Sequence, residues 1–223
     1  MNAEVDHIVI GCARLEQGVA WCEARFGVVP GPGGRHALMS THNRLLAIGT
    51  PQAPRAYLEL IAIDPQAPPP GRPRWFGLDE PAVQAAMEQE PQLLHWVAGV
   101  ADADGAAAEW RCLGLDPGPV LAAERDTPKG VLRWRLTVRD DGARLLGGAL
   151  PTLIQWGAVH PSDAMPASGV TLESLALGGG DSPTLGQALH AIGAGGFELR
   201  SGLPALRATF QTPHGEVVLA SMV

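Results

Sequence analysis

The 223-residue sequence predicts an α+β protein made of repeated βαβββ modules. A glycine- and proline-rich phrase occurs twice, as FGVVPGPG over residues 26–33 and as LGLDPGPV over residues 113–120. Each copy follows a helix-like segment and precedes strand-like segments, and a phrase that recurs in this way indicates a duplicated structural unit. A degenerate copy, IGAGGFEL at residues 192–199, predicts a third βαβββ-like unit.

The first module is predicted to begin with a strand at residues 5–12. Its helix carries apolar residues from Leu15 to Phe26 and ends at Gly27, because glycine tolerates the left-handed conformation that closes a helix. Three further strands are predicted near 34–40, 43–49 and 56–63.

The second module repeats this order after a proline-rich linker. Within the linker, a helix is predicted from Asp79 to Glu90, with Asp79 as its N-cap and Pro81 in its first turn. The second module has a predicted strand at 94–101, a helix at 104–113 closed by Gly114, and strands at 118–123, 130–138 and 150–157. The third unit has a predicted strand at 169–177, a helix at 183–192, and strands at 196–200, 204–211 and 216–221. The predicted division is 1–64, first module; 65–92, linker and helix; 93–161, second module; 162–223, third unit.

Composition and charge limit the possible functions. A net charge of −7 argues against non-specific nucleic-acid binding, which requires a basic surface. No apolar run approaches the roughly 20 residues that span a bilayer, so no membrane partner is expected. The start of the chain lacks the pattern of a signal peptide, and the 3 cysteines form no C-x-x-C pair. Free thiols in a reducing cytoplasm are therefore expected.

Polar residues interrupt the apolar strands at corresponding places in the two modules. His7 and His95 lie on the first strands, whereas Glu59 and Gln155 lie on the last strands. Each alone is consistent with a hydrogen-bonded core histidine or an ion-paired carboxylate. Together, two imidazoles and a carboxylate suit a divalent metal such as Fe, Zn, Ni, Co or Mn, with Gln155 supplying a weak neutral oxygen.

The sequence resembles the vicinal oxygen chelate superfamily, and within it the glyoxalase-like domain group. The resemblance covers about residues 4–161 and rests on VDHIVI, GGRH, STHNRLLAIG, YLEL, LHWV, RWRL and LPTLIQWG. It implies that two modules pair into a half-open barrel around a divalent metal. The implied ligands are His7, Glu59, His95 and Gln155. The metal would stabilise an enediolate-like charge on a small oxygenated metabolite, in isomerase, lyase or dioxygenase chemistry.

One position departs from the pattern of this group. Glyoxalase-type members often carry a carboxylate where Gln155 stands, and an amide accepts no proton at neutral pH. Glu59 would then serve as both ligand and catalytic base. His36, which follows a Gly-Gly turn, is a second catalytic candidate or else an exposed turn residue. Asn43 is predicted to be a hairpin residue, and His160 to be peripheral.

Two further alternatives stay open at the level of sequence. Other members of the superfamily have no metal and bind drugs or metabolites without catalysis, so the protein is either a metal-dependent enzyme or a small-molecule binding protein. The third unit has no second copy to pair with inside the chain. It either pads the barrel or pairs across the two-fold axis of a homodimer.

Overall fold

The computed structural model describes residues 2–127, 130–179, 182–201 and 204–221. Within these ranges three units follow one another, each with the element order β-α-β-β-β, and this confirms the predicted α+β class. The first unit contains β1 (Glu4–Gly11), α1 (Leu15–Phe26), β2 (Gly31–His36), β3 (Thr41–Ala47) and β4 (Tyr57–Ile63). Helix α2 (Pro81–Gln89) follows the linker. The second unit contains β5 (Gln92–Gly99), α3 (Ala103–Cys112), β6 (Val120–Thr127), β7 (Gly130–Thr137) and β8 (Thr152–Trp156). The third contains β9 (Thr171–Gly178), α4 (Ser182–Ala191), β10 (Glu198–Arg200), β11 (Leu206–Thr212) and β12 (Gly215–Ala220).

The ends of the helices follow local rules. Gly27 adopts φ 73° and its N–H bonds the carbonyl of Glu23, so α1 ends where predicted. Helix α3 begins at Asp102, whose side chain accepts a hydrogen bond from the N–H of Gly105. The predicted N-cap of α2 is wrong. The carboxylate of Asp79 instead bonds the backbone and guanidinium of Arg74, and α2 begins at Pro81.

Eight strands of the first two units form one continuous sheet. Its order is β2-β3-β4-β1-β5-β8-β7-β6, with β1 and β5 antiparallel at the centre. Within each of these two units the first strand runs parallel to the last, as the pairs β1–β4 and β5–β8 show. The two modules thus pair side by side, and the sheet curls into a nearly closed barrel. The two edge strands approach each other where the guanidinium of Arg125 on β6 lies against Gly34 on β2.

The two faces of the curved sheet bury different partners. The outer face packs against α1 and α3, and the inner face carries residues such as Val9, Ile61 and Val97. Trp75 and Phe76 of the linker pack on the inner face together with α2. The linker therefore fills part of the barrel rather than merely joining the modules.

The third unit has the same element order but a different strand pairing. Its sheet has the order β10-β9-β11-β12, and β9 runs antiparallel to β11 instead of parallel to its last strand. The indole N–H of Trp110 on α3 donates to the carbonyl of Ala188 on α4, at 2.8 Å. Phe26 on α1 packs against Phe210 on β11. The third unit thus covers the helices of the first two units within the same chain, and homodimer formation stays a prediction.

Candidate functional site

The inner face of the barrel brings polar side chains of several strands to one cavity. Side chains alternate along a strand, and β1 and β4 align so that His7 lies opposite Tyr57 and Val9 opposite Glu59. The space between these side chains, counted together with its opening to solvent, measures about 460 Å³. Its polar lining consists of His7, His36, Asn43, Tyr57, Glu59 and Arg125. Aromatic rings from the linker and from β7 and β8 form much of its apolar wall.

A bulge in β1 places a carboxylate beside His7. The pairing of β1 with β5 shifts between Val5 and His7, which leaves Asp6 out of the ladder and turns its side chain towards the same interior as His7. The N–H at Nδ1 of His7 donates to Oδ1 of Asp6, at 2.6 Å. Since an ionised carboxylate only accepts hydrogen bonds, Asp6 fixes this tautomer and leaves Nε2 of His7 facing the cavity.

Asp6 is buried and accepts hydrogen bonds from two further groups. Its Oδ2 takes the indole N–H of Trp156 at 2.8 Å and Nε2 of His160 at 3.1 Å. Burial raises the pKa of Asp6, but the hydrogen bonds from His160 and His7 outweigh it and hold the pKa at about 2. His160 is thus a buried partner of Asp6, contrary to its predicted peripheral position.

Glu59 lies at the centre of the polar cluster. Its Oε2 is 3.6 Å from Nε2 of His7, and its Oε1 accepts a hydrogen bond from Nδ2 of Asn43 at 2.6 Å. Asn43 is itself oriented by the backbone N–H of Gly34, which donates to Oδ1 at 2.7 Å. The chain reverses before Thr41, so Asn43 lies inside β3 and not at the predicted hairpin. One carboxylate is therefore held between an amide and an imidazole inside an apolar barrel.

His36 supports Asn43 rather than pointing freely into the cavity. Its Nε2 lies 3.3 Å from Nδ2 of Asn43 and 3.9 Å from Oε1 of Glu59, and its Nδ1 lies 3.0 Å from the hydroxyl of Thr41. Burial lowers the pKa of His36 to about 4, although the charge of Glu59 opposes this. The imidazole is therefore neutral at pH 7 and accepts a hydrogen bond from the Asn43 amide.

His95 occupies the position in the second module that His7 occupies in the first. Val97 lies opposite His7 and Val9 lies opposite His95, so the pair of strands is symmetric, and a second register shift skips Leu94 just before His95. However, Nε2 of His95 accepts a hydrogen bond from the backbone N–H of Thr152, at 3.0 Å. Burial lowers the pKa of His95 to about 3. The ring lines a neighbouring cavity of about 430 Å³, which shares Trp75 and Phe76 with the first.

Gln155 lies on the outer face of β8. It is paired with Arg135, and its Oε1 accepts a hydrogen bond from the N–H of Ala103 at the start of α3, at 3.1 Å. The strand register identifies the residue of the second module that corresponds to Glu59. Val9 follows His7 by two residues as Val97 follows His95, so Val9 and Val97 are equivalent. Val9 aligns with Glu59, and Val97 aligns with Thr152. The second module therefore has a threonine where the first has its buried carboxylate.

The structure brings together only part of the predicted ligand set. His7 and Glu59 face each other and His36 lies beside them, whereas His95 lines the adjoining cavity and Gln155 lies on the outer face. Within the described ranges, three or more histidine, cysteine, aspartate or glutamate side chains nowhere form a group that could hold a metal ion. The four predicted ligands therefore do not fit one ion.

Sequence reasoning missed four polar residues of this region. These are Asp6, Asn43, Arg125 and His160. A signal existed for one of them: Arg125 alternates along β6 with Leu121 and Ala123 and so falls on the apolar face. The others depend on a bulge, on the site of a chain reversal and on a contact between distant segments.

We expect the stability of the protein to fall between neutral and mildly acidic pH. His36 and His95 are neutral in the fold, with pKa values of about 4 and about 3 against an ordinary value of 6.5. In this window the unfolded chain binds more protons than the folded chain, so stability is lost as pH falls below 6.5. Urea unfolding should give a free energy lower by roughly 2–5 kcal/mol at pH 4.5 than at pH 7. An unchanged value would show that these imidazoles are not buried as described.

Two paired βαβββ modules with a polar cluster on the inner face define the vicinal oxygen chelate superfamily, whose members commonly bind divalent metals. The family model described as a glyoxalase-like domain matches residues 5–193, and the chain belongs to this family. This confirms the resemblance found in the sequence. No curated protein matches the chain.

Several solved structures are similar to this chain at low sequence identity. A hypothetical protein from Staphylococcus aureus has a TM-score of 0.60 and 13% identity, with 98% of this chain and 86% of that chain covered. Streptomyces coelicolor methylmalonyl-CoA epimerase, in complex with 2-nitronate-propionyl-CoA, has a TM-score of 0.44 and 22% identity over 72% of this chain and 99% of that chain. The Mycobacterium tuberculosis methylmalonyl-CoA epimerase has a TM-score of 0.38 and 17% identity over 68% and 85%.

In the part of the chain that the structure describes, no helix has both the length and the apolar character needed to cross a membrane.

Proposed function

We propose that this protein is an enzyme that moves a proton on a small oxygenated metabolite, with Glu59 as the base. The observation that carries the proposal is the placement of Glu59: a buried carboxylate with one oxygen on Asn43 and the other facing His7 in a cavity of apolar walls. Buried carboxylates are costly, and their presence in a cavity is typical of acid–base sites.

The proposed step is the removal of a proton from a carbon next to a carbonyl group. Glu59 takes the proton, the electron pair of the C–H bond forms a C=C bond, and the π pair of the carbonyl group moves to its oxygen to give an enolate. The same carboxyl group then returns the proton to the carbon as the carbonyl group forms again. Asn43 and His36 would be positioning residues. Asn43 donates a hydrogen bond to Oε1 of Glu59, and His36 accepts one from the same amide group.

His7 would assist Glu59 from the opposite side. Its Nδ1 is bound to Asp6, so the ring is fixed with Nε2 towards Oε2 of Glu59. An imidazole oriented by a buried carboxylate is suited to share a proton with a neighbouring group. The proposal assigns no step to a metal, since Gln155 lies on the outer face of β8 and Nε2 of His95 is bonded to the backbone of Thr152.

The test is proton exchange on candidate substrates in D₂O. We expect the wild-type protein to exchange the C–H proton next to the carbonyl of 2-oxobutyrate, phenylpyruvate or dihydroxyacetone, followed by NMR. The rate should be the same before and after dialysis against EDTA. Exchange that vanishes with EDTA and returns with a divalent metal would contradict the metal-free step. Binding without exchange would favour a non-catalytic binding protein, and neither binding nor exchange would contradict the proposal.

A further inference from the structure

The cavity contains a cationic side chain that the proposed proton transfer does not use. Arg125 lies on β6, near the edge of the barrel, and lines the same cavity as Glu59. Its Nη1 is buried and makes no hydrogen bond to any part of the chain that the structure describes. A guanidinium group stays charged in proteins, and a buried N–H of a charged group without an acceptor is unfavourable. An anionic oxygen bound to the guanidinium would therefore be stabilising.

The guanidinium of Arg125 lies against Gly34 on the opposite edge strand, β2. A Cβ atom added to Gly34 would lie 1.9 Å from Nη1 of Arg125 and 2.6 Å from Cζ, so a larger residue at this position would displace the guanidinium. The backbone N–H of Gly34 also orients Asn43, which holds Glu59. The same short segment of β2 thus positions both the carboxylate and the guanidinium of the cavity.

Glu59 and Arg125 carry opposite charges but do not form an ion pair. The charge of Glu59 acts on Arg125, yet within the described ranges Arg125 makes no ion pair within 4.0 Å, although many other arginines of the chain do. A space between a base and a guanidinium, walled by aromatic rings, suits a ligand with an anionic end, an acidic C–H and an apolar tail.

We propose that Arg125 binds the carboxylate of the substrate, and that the substrate class is a small 2-oxo acid with an apolar tail. This inference rests on the proposed function for its account of the acidic C–H, which lies on the carbon beside the 2-oxo group, towards Glu59. The carboxylate would bind the guanidinium from the side that lines the cavity, and the aromatic wall would accept the tail. Arg125 would then select a carboxylate over a neutral analogue of the same shape.

The experiment compares a carboxylate with its neutral analogue by isothermal titration calorimetry. The probes are 2-oxobutyrate, phenylpyruvate and the neutral 2-oxobutanamide. We expect the wild type to bind 2-oxobutyrate about tenfold or more tightly than the amide. Arg125→Gln should lose this preference while binding the amide as the wild type does. Equal binding of both probes by the wild type, binding of no carboxylate, or a preference that survives in Arg125→Gln overturns the inference.

Two further variants separate a binding role from a structural one. Gly34→Ala keeps the arginine but places a methyl group where Nη1 lies, so it should displace the guanidinium and weaken carboxylate binding. Arg133→Gln is the matched control, because Arg133 lies on the exposed face and pairs with Glu124 at 2.9 Å; it should keep the preference. Unchanged carboxylate binding in Gly34→Ala, or loss of the preference in Arg133→Gln, counts against the inference.

The two proposals can fail separately. Glu59→Gln should slow proton exchange by about 10²–10⁴-fold while keeping the preference for carboxylate over amide. If exchange persists in Glu59→Gln but the carboxylate preference still depends on Arg125, the proposed function is wrong and the anion site stands. If exchange depends on Glu59 but the wild type binds the carboxylate and the amide equally, the proposed function stands and the anion site is wrong.

Discussion

Replacement of Glu59 by glutamine is expected to lower the rate of proton exchange by about 10²–10⁴-fold, the usual contribution of a positioned general base. The change keeps the shape of the side chain and leaves an oxygen for the amide of Asn43 to bond. An amide does not accept a proton at neutral pH, so the loss falls on the chemical step and not on the fold. The measurement is the exchange rate in D₂O by NMR, with the melting temperature recorded for each variant.

Gln155→Glu is the control for this variant. The sequence places a ligand at this position, but the structure places the side chain on the outer face against the N-terminus of α3. A carboxylate there keeps an acceptor for the N–H of Ala103 and should leave the exchange rate unchanged. If Gln155→Glu alters exchange as strongly as Glu59→Gln does, the assignment of the base to the inner face of the first module is wrong.

Asp6→Asn is expected to destabilise the protein by about 3–5 kcal/mol. Asp6 accepts hydrogen bonds from His7, Trp156 and His160 in a buried position. An asparagine has one acceptor oxygen, so its NH₂ group must face one of the three donors, which then loses its partner or, for an imidazole, must change tautomer. The same change removes the anion that orients His7, and proton exchange should fall as well.

The free energy of unfolding in urea at pH 7 measures this effect. Asp104→Asn serves as the control, because Asp104 is exposed and pairs with Arg135 on the surface, where the expected change is within about 1 kcal/mol. If Asp6→Asn is no more destabilising than Asp104→Asn, then the three hydrogen bonds do not form a buried network. Loss of stability with an unchanged exchange rate would show that Asp6 holds the fold without orienting His7 for the reaction.

Periodicity predicted most of the fold because hydrophobic alternation and glycine punctuation are local signals. Helix α1 ends at Gly27 as expected, and the repeated phrase marks the same junction in both modules. The pairing of strands in the third unit was not predictable in this way, because its element order matches the other units whereas its hydrogen bonds do not. Which strands pair depends on tertiary packing that no local pattern records.

The candidate site was harder to predict because it depends on strand register. Side chains change face with every residue, so aligning Glu59 with Gln155 instead of Thr152 moved the predicted ligand to the opposite face of β8. His7 and Glu59 were identified because each lies within a clear apolar run. Asp6 reaches the interior only through a bulge, and a bulge carries no distinct signature in this sequence.

Helices α1 and α3 are packed between the barrel sheet and the third unit. The third unit packs on these helices and so supports the outer face of the barrel at a distance from the cavity. The opposite wall is a linker segment, whose Trp75 and Phe76 border the cavity. Replacement of this segment alone is therefore expected to change the shape of the cavity without moving the strands that carry His7 and Glu59.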